Sequence, residues 1–294
     1  MAAADLIPAD VRARLSGLRL RARRAVGRTG IGVHASRSRG AGLEFAQYRA
    51  YEPGDDRRQV DWKLYARSDR FFVREAERES PVALWIVIDA TASMAQADPG
   101  RDGWARLDAA KVLAACLAEL ALREGDRFGW AVIADDGLRV AAPGGGLRQR
   151  DRLGVELHRL SASGGLSRPD RLTPLWERIG RHDLVVMLSD LFDDAVVAAA
   201  ERLAVAGREV LAIQLLTVGE RDFPFDGGHR FRDPETGAEV IGDGPAMRAD
   251  FLARFAAAQV GLRARLAAGG IAHAAHVLDE PLDWPLRALF SGVA

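Results

Sequence analysis

Residues 82–88, Val-Ala-Leu-Trp-Ile-Val-Ile, form an unbroken apolar run that stops at an acid, Asp89. A run of this length is too short for a buried helix and suits a strand covered on both faces, as in a mainly parallel sheet. Residues 184–188, Leu-Val-Val-Met-Leu, repeat the pattern and stop at Ser189-Asp190. Around these runs the periodicity turns helical. Residues 104–124 place Leu113, Cys116, Leu117 and Leu120 on one stripe, 195–206 follow the capping acids Asp193 and Asp194, and 246–268 form a long helix. Further strands are expected at 209–216 and 271–277, and a hairpin of 126–135 with 138–142 around Asp136-Gly137. The Gly144 to Gly146 turn leads into a helix reaching His158, and 285–290 close the chain with a helical turn. Residues 223–242, rich in Gly, Pro and Asp, form an excursion with a small hairpin across 235–238. Strands alternating with helices predict an α/β fold, a doubly wound, mostly parallel sheet with helices on both faces.

The N-terminal third reads differently. Residues 8–26 carry Val11, Leu15, Leu18 and Leu20 among arginines and predict an amphipathic helix, followed by a Gly, Ser and Arg-rich loop at 27–42. A dense stretch from Glu44 through Arg49, Tyr51, Pro53-Gly54-Asp55-Asp56-Arg57 and Asp61-Trp62 to Arg67 precedes an extended segment at 71–77. The expected division is 1–79, an N-terminal helix and small extended segment, and 80–294, the α/β domain. Arg49, Asp55, Asp56, Arg57, Asp61 and Arg67 read as a salt-bridge network holding the first part against the sheet, with Trp62 as its anchor.

Charge narrows the function classes. The 41 basic and 41 acidic side chains cancel, so global electrostatics name no partner. Nine arginines face only Asp5 and Asp10 in the first 40 residues, but no aromatic residue accompanies them to stack on bases, so nucleic-acid binding through this arm is the weaker reading. Cys116 stands alone, which leaves no disulfide framework or thiolate cluster within one chain and predicts a core position. The early residues lack the apolar stretch of a signal peptide, and no run approaches the ~20 apolar residues a membrane span needs. A cytoplasmic protein is expected.

The chemistry concentrates at the ends of the two apolar runs. Ligands of doubly wound sheets bind beyond the carboxyl ends of the strands, where strand order reverses. Asp89-Ala90-Thr91-Ala92-Ser93 offers an acid and two hydroxyls at alternate positions, and Asp190 offers a second carboxylate. Hard divalent cations take oxygen donors in such open arrays. Single residues of this kind also serve as ordinary helix caps, yet capping explains neither the hydroxyl spacing nor the second acid.

Asp89-x-Thr91-x-Ser93 with Asp190 resembles the metal-ion-dependent adhesion site of von Willebrand factor A domains, whose usual first motif is Asp-x-Ser-x-Ser; Thr91 departs by one methyl. Arg49-x-Tyr51-x-Pro53-Gly54-Asp55-Asp56-Arg57, Val60-Asp61-Trp62 and Ala66-Arg67 are similar to the signature of the bacterial domain-of-unknown-function 58 family. Phe231-Arg232-Asp233-x-Glu235-Thr236-Gly237 and the tail from Leu282 to Phe290 match as well. The resemblance implies a Rossmann-like, von Willebrand factor A-like domain holding Mg²⁺ or Mn²⁺ through Asp89, Thr91, Ser93 and Asp190. The cation keeps one position free for an acidic side chain on a protein partner. It also implies a middle-loop hydroxyl in the metal shell, for which Thr173 and Ser167 both qualify. The partner it implies is a MoxR-type AAA+ ATPase, in the maturation or remodelling of protein complexes.

Enzyme readings fare worse. A phosphoesterase of the haloacid-dehalogenase type needs Asp-x-Asp, and Thr91 stands where its acid catalyst belongs. A phosphate-binding Gly-x-x-x-x-Gly-Lys-Ser/Thr loop is absent, as are Gly-x-Gly-x-x-Gly after a strand and Gly-x-Ser-x-Gly. A Mg²⁺-dependent phosphoesterase is kept as the alternative. His273 and His276 lie three apart on a strand, point to opposite faces and share no metal.

Overall fold

The computed structural model describes residues 6–20, 44–50, 62–77, 83–98, 103–135, 137–165 and 172–290. Two compact units are present, one of Met1–Arg28 with Val82–Ala294 and one of Thr29–Pro81. The smaller unit contains β1 (Glu44–Ala50), α2 (Trp62–Ser68) and β2 (Phe72–Glu77), with β1 and β2 antiparallel. Trp62 is 60% exposed and meets Tyr65 and Phe71 edge-on. The expected network through Asp55, Asp56, Arg57 and Asp61 lies outside the described residues.

The larger unit opens with α1 (Ala9–Arg14), shorter than the expected 8–26. Gly17 adopts φ +86°, a left-handed conformation that stops the helix, and residues 21–26 lie outside the described residues. Ile7, Val11 and Leu15 are buried in the main core, so the N-terminal helix belongs to the α/β unit rather than to the segment that follows it.

The chain then runs through β3 (Ala83–Asp89), a 3₁₀ turn (Ala92–Ala95), α3 (Arg106–Glu124), β4 (Arg127–Ala134), β5 (Gly137–Gly144), α4 (Gly146–Arg159), α5 (Thr173–Arg178) and β6 (Leu184–Ser189). It continues through α6 (Asp194–Val205), β7 (Glu209–Leu216), α7 (Val218–Asp222), β8 (Gly228–Arg232), β9 (Glu239–Asp243), α8 (Gly244–Ala268), β10 (Ala272–Val277) and α9 (Trp284–Phe290). The main sheet has the order β10-β7-β6-β3-β4-β5. Every pairing is parallel except β4 with the edge strand β5, which returns as a hairpin through Gly137 at φ +117°.

Each apolar run feeds two cores. Leu84, Ile86 and Ile88 of β3 face one side with Leu113, Leu117 and Phe128, while Ala83, Trp85 and Val87 face the other with Val196, Leu203 and Val210. All seven residues of β3 are buried, which is why its sequence shows no polar alternation. Small residues on α3, Ala110, Ala114 and Ala118 among them, let that helix lie close against the sheet. Cys116 is fully buried there, and burial pushes its thiol up to about 12, a packing residue without reactivity.

From the central strand β3 the chain steps to β4 on one side and later to β6 on the other. Strand order therefore reverses between β3 and β6, and a crevice opens beyond their carboxyl ends. Asp89 and Ser189-Asp190 sit at that point.

Candidate metal centre

The parallel register aligns Ile88 with Leu188, so Asp89 and Ser189 leave the sheet side by side. Ser189 donates its hydroxyl to Asp89 Oδ2 at 2.6 Å and accepts from the Leu191 amide at 3.0 Å. Asp89 Oδ1 accepts from the Thr91 amide at 3.0 Å and from Thr91 Oγ1 at 2.8 Å, and Thr91 Oγ1 lies 3.1 Å from Ser93 Oγ. Three of the four residues singled out in the sequence thus form one hydrogen-bonded chain of oxygen atoms.

Backbone bonds fix this exit loop from two sides. Ala90 donates to the Ile133 carbonyl of β4 at 2.8 Å, Ala92 donates to Gly164 at 2.7 Å, and Ser163 donates back to Ala90 at 3.0 Å. Gly164 holds φ +63°, and a Cβ there would fall 2.2 Å from the Asp135 side chain, so only glycine fits.

Asp190 is adjacent but differently employed. Its Oδ1 accepts from the Phe192 amide at 3.2 Å, and its Oδ2 is 3.0 Å from Nη1 of Arg106, the first residue of α3. The Arg106 guanidinium also donates to the Ser93 carbonyl at 2.8 Å, pairs with Glu220 and lies over the Phe192 ring at 5.2 Å. Glu220 belongs to a capping box, with the Thr217 amide 2.8 Å from its Oε2. Gln214 donates to the Asp190 carbonyl at 3.0 Å. Leu191, between these groups, takes φ +57°, a costly conformation for a side chain of its kind.

The two carboxylates therefore differ electrically. Asp190 has a guanidinium partner, whereas Asp89 has no ion-pair partner among the described residues. Burial pushes the Asp89 carboxyl up to about 6; the neighbouring Asp190 charge adds to this, and the hydrogen bonds from Ser189 and Thr91 offset part of it.

Thr173 opens α5 with its residue exposed, and Ser167 lies outside the described residues. Among the described residues no three His, Cys, Asp or Glu side chains converge as a metal site of those types requires. Any cation here depends on hydroxyl donors. One carboxylate, two hydroxyls and a neighbouring acid make an all-oxygen set that fits Mg²⁺ or Mn²⁺ and would not suit a soft metal.

Sequence reasoning did not find Arg106, Gln214, Glu220 or Glu235. The Glu235 carboxylate stands close to the hydroxyls of Thr91 and Ser93, at the exit loop of β3. Only Glu235 carried a signal beforehand, as part of the 231–237 motif.

Residues 47–261 match the family described as "Protein of unknown function DUF58". The chain belongs to this family. Uncharacterized protein Rv1480 of Mycobacterium tuberculosis and uncharacterized protein Mb1516 of Mycobacterium bovis are each 32% identical over 241 residues, which is 77% of this chain and 72% of theirs. Among solved structures, the conserved hypothetical protein BatB from Bacteroides thetaiotaomicron is similar at 16% identity and TM-score 0.42, over 71% of this chain and 96% of that one. The PilB minor pilin of Streptococcus sanguinis is similar at 10% identity and TM-score 0.41, over 76% and 63%. Among the described residues no helix is long and apolar enough to cross a membrane.

Proposed function

We propose that this protein is a cation-dependent protein-interaction module of the von Willebrand factor A type. Asp89, Thr91 and Ser93 hold Mg²⁺ or Mn²⁺, Asp190 is the further carboxylate, and Thr173 or Ser167 supplies the middle-loop hydroxyl. The carrying observation is Asp89: a fully buried acid at the strand-order reversal, joined to two hydroxyls and without an ion-pair partner among the described residues. Burying an unpaired carboxylate is costly, and a bound cation removes that cost.

When bound, the cation supplies a positive centre to which a carboxylate can bind. The chain's residues do the rest. Ser189 and the Thr91 amide aim the Asp89 oxygens, the bonds to Gly164 and Ile133 fix the hydroxyl loop, and Arg106 neutralises Asp190, so that two adjacent acids do not repel each other unopposed. The recognised partner offers an acidic side chain, and a MoxR-type AAA+ ATPase is the partner of choice.

Calorimetric titration of the full chain with Mn²⁺ tests the donor set. Wild type is expected to bind one ion, and Ser93→Ala and Asp89→Ala to lose it while keeping their circular dichroism spectra. Equal binding by all three proteins would overturn the assignment. Co-purification of the ATPase with and without a chelator tests the partner, since retention that ignores the chelator contradicts a contact through the cation.

A further inference from the structure

The excursion between α7 and α8 is a built element aimed at the candidate centre. Its strands β8 and β9 pair antiparallel, with Arg232 opposite Glu239, and the turn between them is stiffened by one side chain. Asp233 accepts at Oδ1 from the Glu235 amide at 2.8 Å and the Thr236 amide at 3.2 Å, and at Oδ2 from the Thr236 hydroxyl at 2.6 Å. Gly237 closes the turn at φ +74°. These are the Asp, Thr and Gly of the 231–237 motif, and what they present is its glutamate. The base of the hairpin is fixed by aromatic contacts: Phe223 stacks on Phe231 at 5.6 Å and meets Phe251 of α8 at 4.5 Å.

Glu235 reaches across to the exit loop of β3, where its carboxylate stands close to the hydroxyls of Ser93 and Thr91 and shares one cavity wall with Ser93. Gly165 leaves room on the other side, because a Cβ there would lie 3.2 Å from Glu235 Oε2. A cavity of about 720 Å³ has Ser93, Arg106, Phe192 and Glu220 in its wall together with Phe231 and Glu235 of the hairpin. Among the described residues Glu235 has no ion-pair partner. A cation between the hydroxyls and this carboxylate would have oxygen donors on both sides.

We propose that Glu235 is an internal ligand, occupying the coordination position that a partner's acidic side chain would take. The β8–β9 hairpin is thereby a built-in competitor, and a partner binds by displacing it. This inference rests on the cation reading above.

Water-proton relaxation by Mn²⁺ bound to the full chain tests it, because relaxation reports water on the metal. Glu235→Ala and the isosteric Glu235→Gln are compared with wild type and with Glu239→Gln, an exposed control on the same hairpin. Both Glu235 variants are expected to bind Mn²⁺ about tenfold more weakly and to relax water faster per bound ion. Acetate added to Glu235→Ala returns relaxation toward the wild-type value and leaves wild type and Glu239→Gln unchanged. Mn²⁺ bound with the same affinity and relaxation in wild type and both Glu235 variants would overturn the internal ligand and leave the cation site standing. No Mn²⁺ binding by any of the four proteins would overturn the cation reading itself, and this inference with it. A misfolded Glu235→Ala leaves the decision to Glu235→Gln.

Discussion

Arg106 and Asp190 form a buried ion pair at 3.0 Å, their side chains 3% and 2% exposed, directly behind the exit loop that carries Thr91 and Ser93. The same guanidinium pairs with Glu220, so one arginine ties the start of α3 to the ends of β6 and β7. Breaking one side of such a pair leaves a buried charge unopposed. Arg106→Met is expected to cost about 3–5 kcal/mol in urea denaturation. Adding Asp190→Asn recovers part of it. A loss below about 1 kcal/mol, the size of a surface pair, contradicts the buried pairing.

Asp89 carries the opposite sign. Its carboxyl is raised to about 6 in the folded chain against an ordinary 3.8, so the folded state holds its proton longer than the unfolded state. Stability falls as pH rises through that window, and the penalty is complete above it. Without divalent cations at pH 7.5, Asp89→Asn is expected to be more stable than wild type by about 1–3 kcal/mol. The difference vanishes below pH 3.8. Mn²⁺ raises the melting temperature of wild type and leaves the variant unmoved. A variant less stable than wild type under chelation contradicts this account.

The strand ends were legible because the code for a strand buried on both faces is local. An apolar run ending in an acid announces β3 and β6, and two such runs separated by helical periodicity announce a sheet whose strand order reverses. Asp89, Thr91 and Ser93 could be grouped because they sit on one loop. Arg106 could not: it stands 13 residues from Ser93, and only the folding back of the loop through Gln96 and Asp98 returns it to the site. Glu235 belongs to a hairpin whose place is set by Phe223, Phe231 and Phe251, contacts that no periodicity records. The expected helix at 8–26 overran because its apolar spacing continued past Gly17, where backbone conformation ended it.

Gly164 joins loop conformation to the site. Gly164→Ala forces a Cβ at φ +63° toward Asp135 and disturbs the bond from Ala92. The expected cost is about 1–2 kcal/mol in denaturation. Mn²⁺ affinity falls with it while the circular dichroism spectrum is retained. Unchanged stability and affinity would show that this loop does not position the hydroxyls.

His276 is fully buried on β10, its ring nitrogens lack hydrogen bonds, and burial lowers it from 6.5 to about 4, with Asp279 opposing slightly. Glu280 is 3.8 Å from its Nδ1. The unfolded chain therefore takes up the proton first as pH falls. Stability from this residue is complete above pH 6.5 and is lost toward pH 4, by about 3 kcal/mol. Denaturation curves across that range are expected to flatten in His276→Leu. A slope identical to wild type assigns the acid sensitivity elsewhere.

Crystals of the full chain grown with Mn²⁺ and measured for anomalous scattering ask the decisive question. The account predicts a single strong peak bounded by the oxygens of Asp89, Thr91 and Ser93, on the side facing Glu235. No peak there, with Asp89 still hydrogen-bonded to Ser189 and Thr91 alone, would contradict it.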